Sequence, residues 1–152
     1  MKAVVQRVAH AAVTLRETGE VRAIGRGFTV LLGITHADSE ADAVYLADRV
    51  LGLRIMADDA GKMNLALNSV PESGILVISQ FTLYADAAKS RRPSFVSAAP
   101  AAIALPLYER FVEILKRSGL QLQTGEFGAD MLVNIANDGP VTLLLDSSDR
   151  GR

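Results

Sequence analysis

The chain has 152 residues, the usual length of one domain, and its hydrophobic content of 49% is enough for a substantial core. Cysteine is absent, which excludes disulfides, thiol nucleophiles and thiolate metal sites. The net charge of -1 argues against general electrostatic attraction to nucleic acid, so an RNA contact needs a local basic patch.

The first third of the chain predicts strands followed by a helix. Residues 2–15 are rich in valine and alanine, and residues 21–24 and 28–34 are short, apolar and partly β-branched. Ser39 followed three residues later by Asp42 resembles a capping box, and an apolar stripe at helical spacing comes after it. We therefore predict three strands and then a helix that begins near residue 40.

The rest of the chain alternates between strand and helix patterns. The predicted elements are short paired strands at 53–56 and 63–67, a strand at 74–84, a basic loop at 85–97, a helix at 100–118, and closing strands at 121–127, 131–136 and 141–145. Gly119 ends the second helix, and Pro106 either kinks this helix or marks its true first turn. The pattern predicts one α/β domain of α+β character with two substantial helices.

Several familiar catalytic motifs are missing from the sequence. His10 and His36 lie in unrelated contexts, and neither has the spacing of a metal site. The chain has no Gly-x-Ser-x-Gly elbow and no glycine-rich phosphate loop. We therefore expect no metal and no cofactor, and three polar segments remain as functional candidates.

The first candidate is the segment Ser79-Gln80-Phe81-Thr82, which interrupts an apolar strand. Polar residues in a buried strand need hydrogen-bond partners, so the segment is either an edge strand or bulge, or the floor of a pocket. In a pocket, backbone N–H groups at the strand end would stabilise an oxyanion. Thr82 would be a nucleophile or a positioning hydroxyl, and no adjacent base is visible to activate it.

The second candidate is the segment Asn137-Asp138-Gly139-Pro140-Val141-Thr142. Its first four residues are typical of an ordinary turn. Alternatively, Gly139 allows close approach of the backbone to a ligand and Pro140 restricts its conformation. The sequence does not decide whether the Gly139–Pro140 bond is cis or trans.

The third candidate is the basic loop, in which Lys89, Arg91 and Arg92 precede Phe95. Cations beside one aromatic ring can hold phosphates and stack a base. Solvated basic loops are equally common on protein surfaces, so this segment gains meaning only together with the other two.

At these residues the chain resembles the D-aminoacyl-tRNA deacylase family, also called D-tyrosyl-tRNA deacylases. Residues 79–82 and 137–142 match the two signatures of the family, and shorter stretches such as 92–95 and 127–131 follow in the same order. The resemblance covers residues 1–146, which we take as one deacylase domain. Residues 147–152 lie beyond it, and we expect them to form a flexible tail.

The resemblance implies a three-layer α/β/β fold and a homodimer that hydrolyses the ester of D-aminoacyl-tRNA and glycyl-tRNA. It implies that Ser79, Gln80, Phe81 and Thr82 line the catalytic pocket. Gly139 and Pro140 would form a cis peptide that enters the pocket of the partner subunit and rejects L-esters. Further substrate contacts are expected at Met131, Asn137, Val141, Thr142, Lys89, Arg91, Arg92 and Phe95.

The expected partners are tRNA and a second copy of the chain, without DNA or membrane. No apolar run approaches the roughly 18 residues of a membrane span, and the N-terminus is unlike a secretory signal, so we expect a cytoplasmic protein. An aminoacyl ester is already activated. Positioning of the substrate, a ribose hydroxyl of the RNA and stabilisation of the oxyanion would therefore suffice for catalysis. The alternatives are a non-catalytic tRNA-binding module and a scaffold dimer without a ligand.

Overall fold

The computed structural model describes residues 1–88 and 90–151, so Lys89 of the predicted basic loop lies outside the described residues. The predicted α/β architecture with two main helices on a sheet is confirmed. The strands are β1 (Lys2–Leu15), β2 (Val21–Ile24), β3 (Gly27–Gly33), β4 (Met56–Ala57), β5 (Met63–Leu65), β6 (Gly74–Ser79), β7 (Gln121–Thr124) and β8 (Met131–Asp146), and the main helices are α1 (Glu40–Gly52) and α2 (Ala101–Lys116).

The main sheet is built around the long strand β1. Strands β2 and β3 pair antiparallel with one edge of β1 in a single continuous register, and β8 pairs with its other edge. Strands β6 and β7 extend the sheet beyond β3, and both run parallel to it. The carboxyl ends of β3, β6 and β7 therefore meet at the same end of the sheet.

Two apolar cores define the layers of the fold. Ile75 and Val77 of β6 face the first core, which contains the buried sides of α1 and α2. Leu76 and Ile78 face the second core, which contains apolar residues from the later half of β1 and from β8. Strand β6 is therefore buried on both faces, by the helices on one side and by the later half of β1 with β8 on the other. The molecule thus has a helix layer, a sheet layer and a second β layer, as the resemblance implies.

The ends of both helices follow the chemistry of their sequences. The Asp42 carboxylate accepts a hydrogen bond from the Ser39 N–H at 2.9 Å, as the predicted capping box requires, and a second one from the Ser39 hydroxyl at 2.7 Å. Helix α2 begins directly after Pro100, so Pro106 lies inside the helix and is not in its first turn. Gly119 has a φ of 77° just beyond the end of α2, a conformation that favours glycine.

Several predictions for individual segments differ from the structure. The strand predicted at 74–84 ends at Ser79, because the chain turns into a 3-10 helix at Phe81–Tyr84. The strands predicted at 131–136 and 141–145 are one strand, since the Asn-Asp-Gly-Pro segment is an excursion within β8 and not a turn between two strands. The tail expected to be flexible begins with a 3-10 helix, in which the buried Ser147 hydroxyl accepts a hydrogen bond from the N-terminal ammonium at 2.8 Å.

Neither main helix, nor any other helix within the described ranges, has the length and apolar character needed to cross a bilayer.

The buried tyrosine of α2 gives a prediction on pH-dependent stability. Burial raises the pKa of Tyr108 from 10.0 to about 12, and its hydroxyl donates to the carbonyl of Val77 at 3.2 Å. Above pH 10.0, therefore, the unfolded chain loses this proton while the folded chain keeps it, and stability falls as the pH rises. Between pH 10.0 and about 12 the free energy of unfolding should fall by up to about 2 kcal/mol more in the parent than in Tyr108→Phe. Urea titrations at stepped pH measure this difference, and parallel slopes for the two proteins would contradict it.

Candidate functional site

A cavity of about 290 Å³ opens at the carboxyl ends of the parallel strands. This is the end of a parallel sheet at which ligands usually bind. Leu32, Ile34, Ile78 and Val133 give the cavity an apolar floor. Its polar rim includes the segment that follows β6, so the first candidate segment lies at a pocket, and the edge-strand alternative is wrong.

The segment after β6 leaves two backbone donors free at the rim. The Gln80 N–H donates to the Leu32 carbonyl at 2.8 Å and ends the sheet, and the 3-10 helix begins at the next residue. The N–H groups of Phe81, which lines the cavity, and of Thr82, the next residue, lie in the first turn of this helix and have no acceptor among the described residues. Two adjacent free donors beside an apolar cavity suit the stabilisation of a developing oxyanion.

The close approach of this segment to the sheet depends on a glycine. A Cβ at Gly33 would lie 2.9 Å from the Cβ of Leu83 and 3.1 Å from the Gln80 carbonyl oxygen. Only a residue without a side chain at the end of β3 lets the 3-10 helix rest directly on the strand. Gly33 therefore positions the rim, although the sequence alone did not single it out.

The hydroxyl of Thr82 has a positioning partner and no base. The Gln80 side-chain amide donates to it at 2.5 Å. In the part of the chain that the structure describes, no histidine, carboxylate or lysine forms a hydrogen bond with this hydroxyl. Ser79, Gln80 and Phe81 line the cavity, while Thr82 does not lie on its lining. The geometry thus favours a positioning role for Thr82 over that of a nucleophile.

The opposite rim is formed by the segment that leads into β8. Met131 lines the cavity, and its sulfur accepts from the Glu126 N–H at 3.4 Å. Phe127, Ala129 and Asp130 line the cavity as well. They belong to a stretch that resembles the family, and this was the available signal for including them among the site residues.

The second candidate segment is an exposed bulge of β8. Val8 pairs with Asn137 and Gln6 pairs with Thr142, so Arg7 alone stands opposite the four residues 138–141. Asp138, Gly139 and Pro140 are exposed, and the Gly139–Pro140 bond is cis. We call residues 138–141 the Gly-Pro bulge.

Two side chains clamp the base of the Gly-Pro bulge. The Arg7 side chain is 12% exposed, and its guanidinium donates to the Ile55 carbonyl at 2.7 Å and to the Asp138 carbonyl at 3.3 Å. The Asn137 amide donates to the Arg7 carbonyl at 3.0 Å and to the Val141 carbonyl at 2.9 Å. The bulge is therefore held from both sides and projects from the sheet as a supported backbone segment.

A second pair of polar side chains orients Asn137. The Thr142 hydroxyl donates to the Asn137 side-chain oxygen at 3.3 Å, and Gln6 donates to the same hydroxyl at 3.2 Å. These bonds give the polar residues at both ends of the second signature a structural role, because they fix the amide that closes the bulge.

The two signature segments are separate within one subunit. Among the described residues that line the cavity, none belongs to the 137–142 segment. The structure therefore brings Ser79, Gln80, Phe81 and Met131 together at the cavity and leaves Asn137, Gly139, Pro140, Val141 and Thr142 at another surface.

The basic loop lies beside the cavity rim. Asp86 and Ser94 exchange two backbone hydrogen bonds of 2.8 Å, which close the loop. Directly after this bridge, the ring of Phe95 meets the ring of Phe81 edge to face, with the centroids 5.2 Å apart. Phe81 itself lines the cavity, so the loop continues the site outward.

No group of three or more histidine, cysteine, aspartate or glutamate side chains in residues 1–88 and 90–151 is arranged to hold a metal ion.

Comparison with known proteins identifies relatives across the whole chain. The family described as D-Tyr-tRNA(Tyr) deacylase matches residues 4–146. The D-aminoacyl-tRNA deacylases of Geobacter sulfurreducens and Thermotoga petrophila are each 52% identical to the chain. The first alignment covers 99% of this chain and 97% of the relative, and the second covers 97% of this chain and 98% of the relative.

Two solved structures share the fold. One is described as a c-Myc DNA unwinding element binding protein and superposes with a TM-score of 0.86 at 42% identity, covering 96% of this chain and 98% of the other. The other is described as a probable eukaryotic D-amino acid tRNA deacylase and has a TM-score of 0.82 at 16% identity, covering 95% and 97%. At that identity the second likeness shows the fold alone.

Proposed function

The chain belongs to the D-Tyr-tRNA(Tyr) deacylase family, and we propose that it uses the cavity beyond β6 to hydrolyse D-aminoacyl-tRNA. It is a hydrolase that acts on the ester between an amino acid and tRNA. The observation that carries the assignment of the site is the pair of free N–H groups of Phe81 and Thr82 beside an apolar cavity. We take residues 1–146 as the deacylase domain.

The cavity suits the 3' end of an aminoacylated tRNA. Its apolar floor offers a surface for the terminal adenine, and Ser79, Gln80 and Met131 offer polar or polarisable contacts at the rim. Water attacks the ester carbonyl, and the free N–H groups stabilise the oxyanion. The ribose oxygen then leaves as a hydroxyl with one proton of the water, the amino acid leaves as a carboxylate, and the other proton passes to solvent. The neighbouring ribose hydroxyl of the substrate orients the water, so no general base from the protein is required.

Selection against L-esters is assigned to the Gly-Pro bulge of a partner subunit. The bulge is exposed, is held at its base by hydrogen bonds and contributes no residue to the described cavity lining of its own subunit, and these properties suit insertion into the cavity of a second copy. Backbone carbonyls at Gly139 and Pro140 cannot rotate away from a wrongly oriented side chain, so an L-residue would clash with them. Glycine has no side chain, and its ester is accepted.

Asn137, Val141 and Thr142 act in this scheme by supporting the bulge. Asn137 and Thr142 belong to the hydrogen-bonded base, and the Val141 carbonyl accepts from the Asn137 amide. They are positioning residues, because the ligand would meet the backbone at the tip of the bulge.

We propose tRNA, and not DNA, as the nucleic-acid partner. The solved relative described as a DNA unwinding element binding protein raises the second possibility. A DNA strand lacks the 2'-hydroxyl that would assist the attack, and the net charge of -1 does not favour long-range attraction to duplex DNA. A cytoplasmic location follows as part of the proposal, because aminoacyl-tRNA is used there.

Replacement of Thr82 distinguishes a positioning role from a nucleophilic one. We expect Thr82→Ala to lower the single-turnover rate by at most about tenfold, because the two backbone N–H groups remain in place. Loss of an attacking side chain would cost on the order of 10⁶-fold. Thr82→Ser, which keeps the hydroxyl, is the matched control. A loss to the uncatalysed rate in the alanine variant alone would establish Thr82 as the nucleophile.

The function itself is tested with matched D- and L-tyrosyl-tRNA in the presence of a chelator. We expect rapid hydrolysis of the D-ester and no acceleration for the L-ester. Equal hydrolysis of both esters would remove the proposed filter. Retained tRNA binding without hydrolysis would support the alternative of a non-catalytic binding module.

A further inference from the structure

A small aromatic and basic surface continues from the cavity rim to the closed loop. Phe81 is 54% exposed and Phe95 is 41% exposed, although both are large apolar side chains. Their edge-to-face contact leaves one face of the pair open to solvent beside the cavity. Exposed aromatic pairs of this kind are uncommon at random surface positions and are typical of binding sites.

The charge of the neighbouring loop indicates what covers this surface. Arg91 and Arg92 are exposed, and their guanidinium groups form no ion pair with any residue that the structure describes. The backbone bridge between Asp86 and Ser94 holds the loop close to Phe95. Aromatic rings for base stacking next to unpaired cations for phosphates are the combination that binds single-stranded nucleic acid.

We propose that Phe95 stacks the base of the nucleotide that precedes the terminal adenosine, while Arg91 and Arg92 bind the phosphates of the single-stranded tRNA end. This inference rests on the proposed function, because the cavity must hold the terminal adenosine for the next nucleotide to reach Phe95. The continuity of Phe95 with Phe81, which itself lines the cavity, gives the direction in which the strand leaves the site. The surface thus selects substrates with a single-stranded 3' extension over shorter aminoacyl nucleosides.

The test compares D-tyrosyl-tRNA with D-tyrosyl-adenosine, which lacks every upstream nucleotide. We expect Phe95→Ala to lower kcat/KM for the tRNA ester roughly tenfold more than for the adenosine ester. Phe95→Tyr should restore the tRNA rate, because its ring can still stack. Val96→Ala is the matched control, since Val96 is 82% exposed and forms no ring contact.

The cations are tested by the salt dependence of the same reaction. For the tRNA ester, log kcat/KM falls with the logarithm of the salt concentration. The double variant Arg91→Ala, Arg92→Ala should reduce the magnitude of this slope by about 0.7 for each phosphate that the protein no longer neutralises. The slope for the adenosine ester should stay unchanged. An unchanged slope for the tRNA ester would overturn the assignment of these two residues.

The outcomes separate this inference from the proposed function. If the parent hydrolyses neither ester, the proposed function fails. If the parent hydrolyses both and Phe95→Ala affects them equally, or affects neither, the stacking role is wrong and the deacylase assignment stands. Sedimentation of the Phe95→Ala protein completes the test, because conversion to a monomer would show that this surface is a contact between subunits.

Discussion

Gly139→Ala is expected to lower kcat/KM for D-tyrosyl-tRNA by at least about 100-fold, because we propose that the bulge also positions the ester in the partner's cavity, and displacement of a positioning group by about 1 Å has this cost. Gly139 has a φ of 121°, which side-chain-bearing residues rarely adopt. An added Cβ would lie 2.7 Å from Cγ2 of Val141 and 2.9 Å from a terminal nitrogen of Arg7. The bulge must therefore shift, and its carbonyls move with it.

A matched glycine separates this effect from backbone strain in general. Gly61 has a φ of 74°, and a Cβ there would meet no atom within 4 Å. Gly61→Ala should cost about 1 kcal/mol of stability and leave the rates for both esters unchanged. The measurement is the D- and L-ester rate for each folded variant, with circular dichroism to verify the fold. Full D-ester activity and unchanged rejection of the L-ester in Gly139→Ala would show that the filter lies elsewhere.

Most of the fold was predictable because its elements carry local signals. The alternating pattern of β1, the capping pair of Ser39 and Asp42, and Gly119 after α2 each act within a few residues of the chain. The second β layer was known only through the family resemblance. This layer depends on β6, whose successive residues are buried in two different cores, and each core requires contacts between distant segments.

Ser79, Gln80, Phe81 and Met131 were singled out from the sequence and line the cavity, but the arrangement of the site was not predictable. The apolar sequence up to Tyr84 favours a strand, yet Gln80 bonds to the end of β3 and starts a 3-10 helix, so tertiary contact overrides the local pattern. The Gly-Pro segment has the composition of a turn, and only its pairing with β1 on both sides makes it a bulge. Arg7 and Gln6 were missed as supports for the same reason, because they come from the opposite end of the chain.

Subunit complementation should restore activity from two inactive proteins if the bulge acts in trans. One protein carries Gly139→Ala, which damages the bulge and leaves the cavity intact. The other carries Ala129→Phe, which fills the cavity from a partly exposed position on its rim and leaves the bulge intact. Each alone is expected to lose at least about 100-fold in D-ester hydrolysis, the cost of a misplaced reacting geometry.

Mixing and refolding the two proteins in equal amounts makes half of the dimers mixed. In each mixed dimer, one intact cavity receives one intact bulge, so about a quarter of the parental sites should be recovered if subunits pair at random in a symmetric dimer. If the bulge served the cavity of its own subunit, neither protein would contribute a complete site and mixing would recover nothing. The gain on mixing therefore shows directly which subunit provides the bulge that completes a site for D-ester hydrolysis, because neither inactive protein alone can account for it.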